Sequence, residues 1–427
     1  MSRPPILALL VLLGALTPAQ TSPWHRDYRP SEPFPPELEL SPDWYRRTSS
    51  DDAPERWRTN HSLATIRFNV TATTRVGLRF AQDQITAPGL KPGFCAWRLF
   101  AGQTLLREER RHSLMSAVFA EGLEPDLTHR LEVTITLPLD PDSDPAALSQ
   151  VERWREGVGQ QGAFVDLLGL VVDDAAKLLP LPAPPRPWLD YLVYGDSLAD
   201  GGVMEPDGGP EGDTPYRLNA AGAAAGWPAK AVRRACELLE APRTARGINH
   251  SFGGWWGCRL AFPLHGIEDE TRLRALQPWM APNFFEMPDR CHPGAPRFGI
   301  DTVDLVVYAL AQNDQGTGRL KEPGAYVADL HANIDLIRKT WPGARILVAA
   351  THVSDKPSGK VQQALMERAL MSPGYDHRRD PELHFTSLTR ILYAHGLLPQ
   401  RTHPPERIHD LWAEAVAEEI RDLLQAK

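Results

Sequence analysis

Three short, uninterrupted apolar runs in the second half of the chain constrain the fold more than any other feature. They are YLVY (191–194), DLVVYAL (304–310) and RILVAA (345–350). Runs of this length without polar alternation are typical of parallel strands that are buried on both faces. The helical stretches between and after them carry apolar stripes, formed by Val327, Leu330, Ile334 and Ile337 and by Ile408, Trp412, Val416, Ile420 and Leu424. Strands that alternate with helices predict a doubly wound α/β domain around a parallel sheet.

The first half has a different pattern. LATIRFNVTATTRVGLRF (63–80), CAWRLFAG (95–102) and HRLEVTITLPL (129–139) alternate and are rich in β-branched and aromatic residues. They predict an all-β sandwich, of jelly-roll type, over residues 59–176. A Pro-rich lead-in (20–58) precedes it. KLLPLPAPPRPW (177–188) holds five prolines and predicts a stiff linker to the α/β domain at 189–427.

The N-terminus, MSRPPILALLVLLGALTPAQTS, predicts a secretory signal. Arg3 supplies the positive charge, residues 6–16 are apolar, and Thr17 and Ala19 are small residues before a cleavage point. We therefore expect removal of residues 1–19 and a secreted protein, with an uncleaved anchor as the alternative. No later segment is long and apolar enough to span a bilayer.

Secretion agrees with two weaker signals. Four cysteines, Cys95, Cys236, Cys258 and Cys291, permit two disulfides in three possible pairings, of which Cys258 with Cys291 is the first choice because both lie in loop-rich sequence. Three sequons, at Asn60, Asn69 and Asn249, predict a glycoprotein. The cysteines have no zinc spacing, so we expect no structural metal.

The net charge of −8 argues against nucleic acid and anionic membranes as partners. The polar residues that carry chemistry must instead be sought at strand ends, because open parallel sheets bind ligands at the carboxyl ends of their strands. Ser197 stands there, in Gly195-Asp196-Ser197 directly after the first run. A serine on a sharp strand-to-helix turn is typical of a nucleophile, which needs a base. The alternative is an ordinary turn in which Ser197 caps a helix.

Two further strand ends offer groups for an oxyanion. HSFGGWWG (250–257) contains Gly253 and Gly254, whose backbone allows close approach of a ligand. Asn313, in AQND, follows the second apolar run, and its amide can donate to developing negative charge. The alternatives are a plain glycine turn and a helix cap.

A base is available just before the last helix. His403 precedes Pro404, Pro405 and the C-terminal helical stretch, so its loop returns to the strand ends. Histidine titrates near neutral pH and can accept the serine proton and return it to a leaving group. The alternative is a surface histidine, one of 14 in the chain.

The four blocks together, GDS, GG, QND and HP in this order, resemble the SGNH hydrolases, also called the GDSL esterase/lipase family. The resemblance covers residues 189–427 and implies a three-layer α/β/α domain. It also implies that Ser197 is the nucleophile and His403 the base. Gly254, with Gly253 as the alternative, and Asn313 would join the Ser197 N–H in the oxyanion hole.

The front half sharpens the resemblance. A β-sandwich followed by KLLPLPAPPRPWLDYLVYGDS is similar to the layout of carbohydrate esterase family 2, whose members remove acetyl groups from plant polysaccharides. The chain departs from the SGNH pattern at Gln400, where the family has an aspartate three residues before the histidine, and at Ala311, where it has a glycine. Gln400 can hold a histidine tautomer, but it stabilises imidazolium less than a carboxylate does. Asp380 and Asp410 are poorly placed in sequence to substitute.

Three further residues are candidate substrate contacts. Trp255 and Trp256 follow the glycine block, and aromatic faces suit sugar rings, with core packing as the alternative. His352 follows the third apolar run, at a strand end.

The sequence therefore predicts a secreted serine esterase that acts on small acyl esters, acetyl above all, of a carbohydrate, by a Ser-His dyad or incomplete triad. We expect no cofactor. One alternative is a lipid or general esterase on the same site, although no apolar lid is evident. The other is a catalytically weak or inactive carbohydrate-binding protein, which the combined presence of Ser197, Asn313 and His403 argues against.

Overall fold

The computed structural model of the protein describes residues 25–26, 37–47, 56–59, 63–81, 92–139, 165–183, 186–201, 203–204, 217–218, 222–251, 302–310, 322–350, 357–398 and 403–426. The predicted signal segment, residues 1–19, lies outside these ranges. Among the helices of the described ranges, none combines the length and the apolar character needed to cross a membrane.

The N-terminal half forms two antiparallel sheets. Their strands are β1 (His25–Arg26), β2 (Leu38–Leu40), β3 (Tyr45–Arg47), β4 (Arg56–Thr59), β5 (Thr65–Thr71), β6 (Arg75–Phe80), β7 (Pro92–Ala101), β8 (Thr104–Ser113), β9 (Val118–Glu121), β10 (His129–Leu139), β11 (Val165–Val171) and β12 (Lys177–Leu179). The first sheet has the order β3-β4-β11-β6-β9, with β1 beside β11. The second has the order β12-β5-β10-β7-β8, with β2 beside β5.

Alternation along β5 shows why these residues form a sandwich. Ile66, Phe68 and Val70 are fully buried, whereas Arg67 between them is only half-buried. Their core also takes in Leu78 of the other sheet. Each such side chain contributes roughly 1.5–3 kcal/mol on full burial, so the period-two pattern holds the sheets together. The predicted β-sandwich is confirmed.

The sandwich draws strands from both flanking segments. β1, β2 and β3 lie within residues 20–58, which we predicted as a lead-in. β12 lies within the predicted linker, pairs with β5, and is followed by Pro180, whose carbonyl accepts a hydrogen bond of 3.0 Å from Asn69 Nδ2. A strand edge presents unpaired backbone donors and acceptors, and these extended segments satisfy them.

The C-terminal half is an α/β domain. Its strands are β13 (Trp188–Gly195), β14 (Val203–Met204), β15 (Arg217–Leu218), β16 (Thr244–Asn249), β17 (Leu305–Ala309), β18 (Arg345–Ala350) and β19 (Leu383–Ser387). Its helices are α1 (Ser197–Asp200), α2 (Trp227–Leu238), α3 (Pro323–Thr340), α4 (Pro357–Ala369), α5 (Leu388–Ala394) and α6 (Glu406–Gln425). Five of the strands form a parallel sheet in the order β16-β13-β17-β18-β19. β14 and β15 form a separate antiparallel pair.

The parallel sheet is covered on both faces, as its apolar runs predicted. In β17, Val306 and Tyr308 face a core that includes Ile334 of α3, whereas Leu305 and Val307 face the core of α2 and α6. All four strand residues are fully buried. The three-layer α/β/α arrangement is therefore confirmed, with Trp412, Val416 and Ile420 of α6 buried on the predicted stripe. On α3, Leu330, Ile334 and Ile337 are buried and Val327 is half-buried.

Within the described ranges, Leu63 is the side chain of the N-terminal half that belongs to the α/β core. Leu63, just before β5, is 8% exposed and belongs to the same apolar cluster as Leu189 and Tyr191 of β13. Its N–H donates to the carbonyl of Ile135, which fixes the backbone at a φ of 83°. The two halves therefore share apolar packing.

The prediction of two disulfides is corrected. Cys95, in the sandwich core, and Cys236, on α2, are both free and buried. Burial raises the pKa of the Cys236 thiol to about 11, so this thiol is protonated at neutral pH. The remaining pairing is Cys258 with Cys291, and both residues lie outside the described ranges.

Two of the three sequons are also corrected. Asn249 is 1% exposed and its Nδ2, the atom that would carry a glycan, donates to the carbonyl of Ala199. Asn69 is 8% exposed and its Nδ2 is bonded to Pro180. A buried, hydrogen-bonded amide has no room for a sugar. The third sequon residue, Asn60, is outside the described part of the chain.

Candidate active site

The turn from β13 into α1 holds the first candidate residue. β13 ends at Gly195, Asp196 is the N-cap, and α1 begins at Ser197. The fully buried Asp196 carboxylate accepts a hydrogen bond of 3.0 Å from the Leu198 N–H, which closes the first turn. Asp196 thus shapes the turn, and Ser197 starts the helix beyond the carboxyl end of β13.

Residue 195 must be glycine because this turn has no space for a side chain. A Cβ at this position would lie 2.3 Å from Cβ of Ala199 and 2.8 Å from Oγ of Ser251. The strand can therefore approach α1 and the end of β16 this closely only if residue 195 has no side chain. The geometry fixes the backbone of Ser197 relative to the sheet.

Asn249 at the end of β16 forms a hydrogen bond to α1, and the sequence analysis did not predict this role. Asn249 Nδ2 donates to the Ala199 carbonyl at 2.9 Å, and Asn249 Oδ1 accepts from the Ser251 N–H at 3.1 Å. The N–H of His250 donates to the Val193 carbonyl at 2.8 Å, which keeps this segment beside β13. The available signal was the position of Asn249 at a strand end, which we interpreted only as part of a sequon.

The start of α2 contacts both α1 and the first turns of α6. Gly201, the C-cap of α1 with a φ of 69°, abuts Gly226, and a Cβ on Gly201 would lie 2.8 Å from the Gly226 nitrogen. The next residue, Trp227, is the first of α2, and its N–H donates to Nδ1 of the buried His409 on α6 at 3.2 Å. Packing is therefore continuous from α1 to the first turns of α6.

His403 lies three residues before α6 and is partly buried. Pro404 and Pro405 behind it are buried, and Pro405 is the N-cap of the helix. Proline fixes its own φ and restricts the residue before it, so the two prolines limit the conformations of the loop that carries His403. The helix is anchored by Lys230 of α2, whose Nζ lies 2.7 Å from the Glu406 carboxylate.

The two aspartates considered as a third catalytic member, Asp410 and Asp380, are both in ion pairs. Asp410 has a side chain that is 58% exposed and pairs with Lys230. Asp380 pairs with Arg338. Both carboxylates are therefore held in ion pairs, which agrees with the sequence-based view that neither substitutes for the missing acid.

The other predicted site residues are outside the described ranges. They are Gly253, Gly254, Trp255, Trp256, Asn313, His352 and Gln400. Their roles remain predictions. The strands that precede three of these segments, β16, β17 and β18, end at the same edge of the sheet as β13, because all four are parallel neighbours.

No protein-family model and no curated protein sequence matches the chain. Solved structures do match in fold. A family-two carbohydrate esterase from Clostridium thermocellum, in complex with cellohexaose, has a TM-score of 0.58 at 14% identity, over 91% of this chain and 100% of its own. One from Cellvibrio japonicus has a TM-score of 0.57 at 14% identity, over 91% and 96%. An acetyl xylan esterase from Butyrivibrio proteoclasticus has a TM-score of 0.54 at 13% identity, over 93% and 98%. At such identities the likeness establishes the fold, as the sequence resemblance implied.

Proposed function

We propose, from the fold that the chain shares with family-two carbohydrate esterases, that the protein is a serine esterase. Its substrates are small acyl esters, acetyl above all, on a carbohydrate. The observation that carries the proposal is the β13–α1 turn, in which Gly195, Asp196 and Asn249 fix the backbone of Ser197 at the carboxyl end of the sheet. Ligands bind at this end of open parallel sheets.

In the proposed reaction, His403 accepts the hydroxyl proton of Ser197 as the serine oxygen attacks the ester carbonyl. The N–H groups of Ser197 and Gly254 and the amide of Asn313 stabilise the oxyanion. The carbonyl reforms as the sugar hydroxyl leaves with the proton from His403. Water, deprotonated by the same histidine, then releases acetate from the acyl-enzyme.

The histidine would act without a carboxylate partner. Since Asp380 and Asp410 are already in ion pairs, the proposal is a Ser-His dyad in which Gln400 or a backbone carbonyl accepts the Nδ1 hydrogen bond. Such a partner holds the tautomer but stabilises imidazolium less, so we infer a slower enzyme than one with a full triad. We further propose that residues 1–19 direct the protein to secretion.

Acetate release tests the proposal. The substrates are an aryl acetate, acetylated xylan and acetylated glucomannan, with an aryl octanoate to represent the lipid-esterase alternative. We expect Ser197→Ala and His403→Ala each to lower kcat by about 10³-fold or more on the aryl acetate. The matched controls are Ser372→Ala, at a half-buried position just after α4, and His395→Ala, at an exposed position, and these should keep wild-type rates.

The relative rates of acetate release from xylan and glucomannan identify the preferred polysaccharide. Faster hydrolysis of the aryl octanoate than of the acetates would favour the lipid esterase. A folded wild type that releases acetate from no substrate would contradict the proposal. The departure at Gln400 would then point to a carbohydrate-binding protein that has lost catalysis.

A further inference from the structure

A cavity of about 450 Å³ lies between the sandwich and the α/β domain, away from Ser197. Five arginines line it. Arg67, Arg98 and Arg130 come from the second sheet of the sandwich, and Arg233 and Arg246 come from α2 and β16. Trp188 and Tyr191 of β13 line the cavity, and Ser197 lies two residues beyond the end of this strand at Gly195. At about 3.3 Å per residue, roughly 13 Å of strand separates Tyr191 from Gly195.

On the sandwich side, three arginines pair with two described carboxylates, those of Glu39 and Glu132. Arg98 Nη2 lies 2.8 Å from Glu132 Oε2, and Arg67 Nη1 lies 3.0 Å from Glu39 Oε1. Arg130 Nε lies 3.2 Å from Glu132 Oε1 but is buried and makes no hydrogen bond to any described residue. Glu132 thus pairs with the guanidinium groups of Arg98 and Arg130, and it also lies 3.7 Å from Nε of Arg67.

On the α/β side, Arg246 Nε pairs with Asp190 at 2.5 Å and also feels the charge of Glu39. Arg233 donates to the Ala224 carbonyl at 2.7 Å and, within the described ranges, has no acidic partner. The ion pairs of the cavity therefore stay on their own side, apart from the longer-range influence of Glu39. Among the described residues, five guanidinium groups face three carboxylates, in a protein whose net charge is −8.

Aromatic rings hold the guanidinium groups in place. The Cζ atoms of Arg67 and Arg246 are each 5.2 Å from the centroid of the Trp188 ring, one from each side of the cavity. Arg130 Cζ is 4.4 Å from the centroid of Phe100. Cation–π contacts of this kind orient a guanidinium without using its hydrogen-bond donors. The N–H groups that are not in an ion pair remain available to a ligand.

We propose that this cavity binds a small organic anion, with a carboxylate or phosphate group on a body of one or two sugar rings. Its volume is within the range of small-molecule sites, about 300–1,000 Å³. Guanidinium groups bind carboxylate and phosphate with two parallel hydrogen bonds. An anion between the two faces also relieves the repulsion between their unbalanced positive charges, so binding stabilises the contact between domains.

Calorimetric titration of the full-length protein at low salt tests the proposal. The probes are glucuronate and glucose 6-phosphate, with glucose and inorganic phosphate for comparison. We expect at least one of the two sugar anions to bind at least ten times more tightly than glucose. Glucuronate and glucose 6-phosphate distinguish an acidic sugar from a phosphorylated one. Ser197→Ala should bind equally well, so this result is independent of esterase activity.

Two variants, one on each face, locate the site. Arg130→Gln and Arg233→Gln should each weaken binding fivefold or more. Arg234→Gln is the matched control, because Arg234 is the next residue on α2 and pairs with Glu237 outside the cavity. The proposal is overturned if neither sugar anion binds, if glucose binds as tightly, or if both cavity variants bind like the wild type. Arg233 is exposed at the protein surface, so its variant keeps the test valid should Arg130→Gln misfold.

Discussion

At the scale of single residues, Gly195 decides whether Ser197 can stand where it does. The backbone of β13 meets Ala199 and Ser251 at this point with no space for another carbon atom. Asp196 and Asn249 then bond to opposite ends of the four-residue α1. Such a short helix has little stability of its own, so the residues around it determine its position.

Gly195→Ala should therefore displace α1. We expect a loss of about 1–3 kcal/mol in the free energy of unfolding, typical of overpacking, and a fall in aryl acetate hydrolysis of about 100-fold or more. Urea unfolding and steady-state kinetics measure the two effects. Gly324→Ala is the control, since Gly324 on α3 has open space around it and alanine favours helix. Equal activity of the Gly195 variant and the wild type would show that the turn tolerates a side chain.

Asp43 makes the stability of the sandwich depend on pH. It is fully buried and accepts a hydrogen bond from Ser41; burial raises its pKa from 3.8 to about 7. Between about pH 4 and 7 the folded protein keeps a proton that the unfolded chain releases. The contribution of Asp43 to the free energy of unfolding is therefore fully present below about pH 4. It is lost as the pH rises to about 7, by up to about 1.4 kcal/mol per pH unit.

Asp43→Asn should remove this dependence. We expect the variant to gain stability relative to the wild type as the pH rises from about 4 to 7, with no further change above. Urea unfolding across this pH range measures the difference, and Asp126→Asn, at an exposed turn, serves as the control. A difference that is constant with pH would mean that Asp43 titrates normally.

At the scale of secondary-structure elements, the contact between α2 and α6 matters most for the site. α6 follows His403, and its buried His409 accepts the N–H of Trp227 at the start of α2. The N-terminal N–H groups of a helix have no partner within the helix, so this side chain acts as a cap from a distant part of the sequence. The Trp412 ring packs against His409 with centroids 5.3 Å apart and donates to the Leu388 carbonyl.

His409→Ala should uncouple these helices. Loss of the acceptor leaves a buried N–H without its partner, so we expect a loss of about 1–3 kcal/mol in unfolding free energy. Hydrogen exchange should rise at the N-terminus of α2 and in the loop that carries His403. His395→Ala, at the exposed end of α5, is the control. Unchanged exchange at Trp227 would show that this hydrogen bond does not hold α6 in place.

At the scale of the whole molecule, the two halves are coupled by apolar packing. Leu63 extends from the sandwich into the core formed by Leu189, Tyr191 and Ala235. Leu63→Ala should therefore lower the stability of both halves together, by about 2–5 kcal/mol. Calorimetry should show a single transition for the wild type that shifts as a whole. Leu127→Ala, at a leucine that is 42% exposed in the sandwich, should change little. Two separate transitions in the wild type would contradict the coupling.

The sequence by itself determined the architecture. The runs at β13, β17 and β18 and the stripes on α3 and α6 are local patterns whose periods select a buried parallel strand or an amphipathic helix. The alternation in β5 and β10 selected the sandwich for the same reason. The order of four short blocks pointed to the SGNH hydrolase fold and to Ser197 and His403 as candidates.

Only the tertiary structure decided which polar groups are committed to structure. Asn249 and Asn69 were interpreted as glycan acceptors, Cys95 and Cys236 as possible disulfide partners, and residues 20–58 as a lead-in. Each of these interpretations depended on whether the group was buried against chain that is distant in sequence, and no local pattern encodes that. The arginine-lined cavity has the same origin, because its five guanidinium groups come from five separate elements that meet only when the two halves pack together.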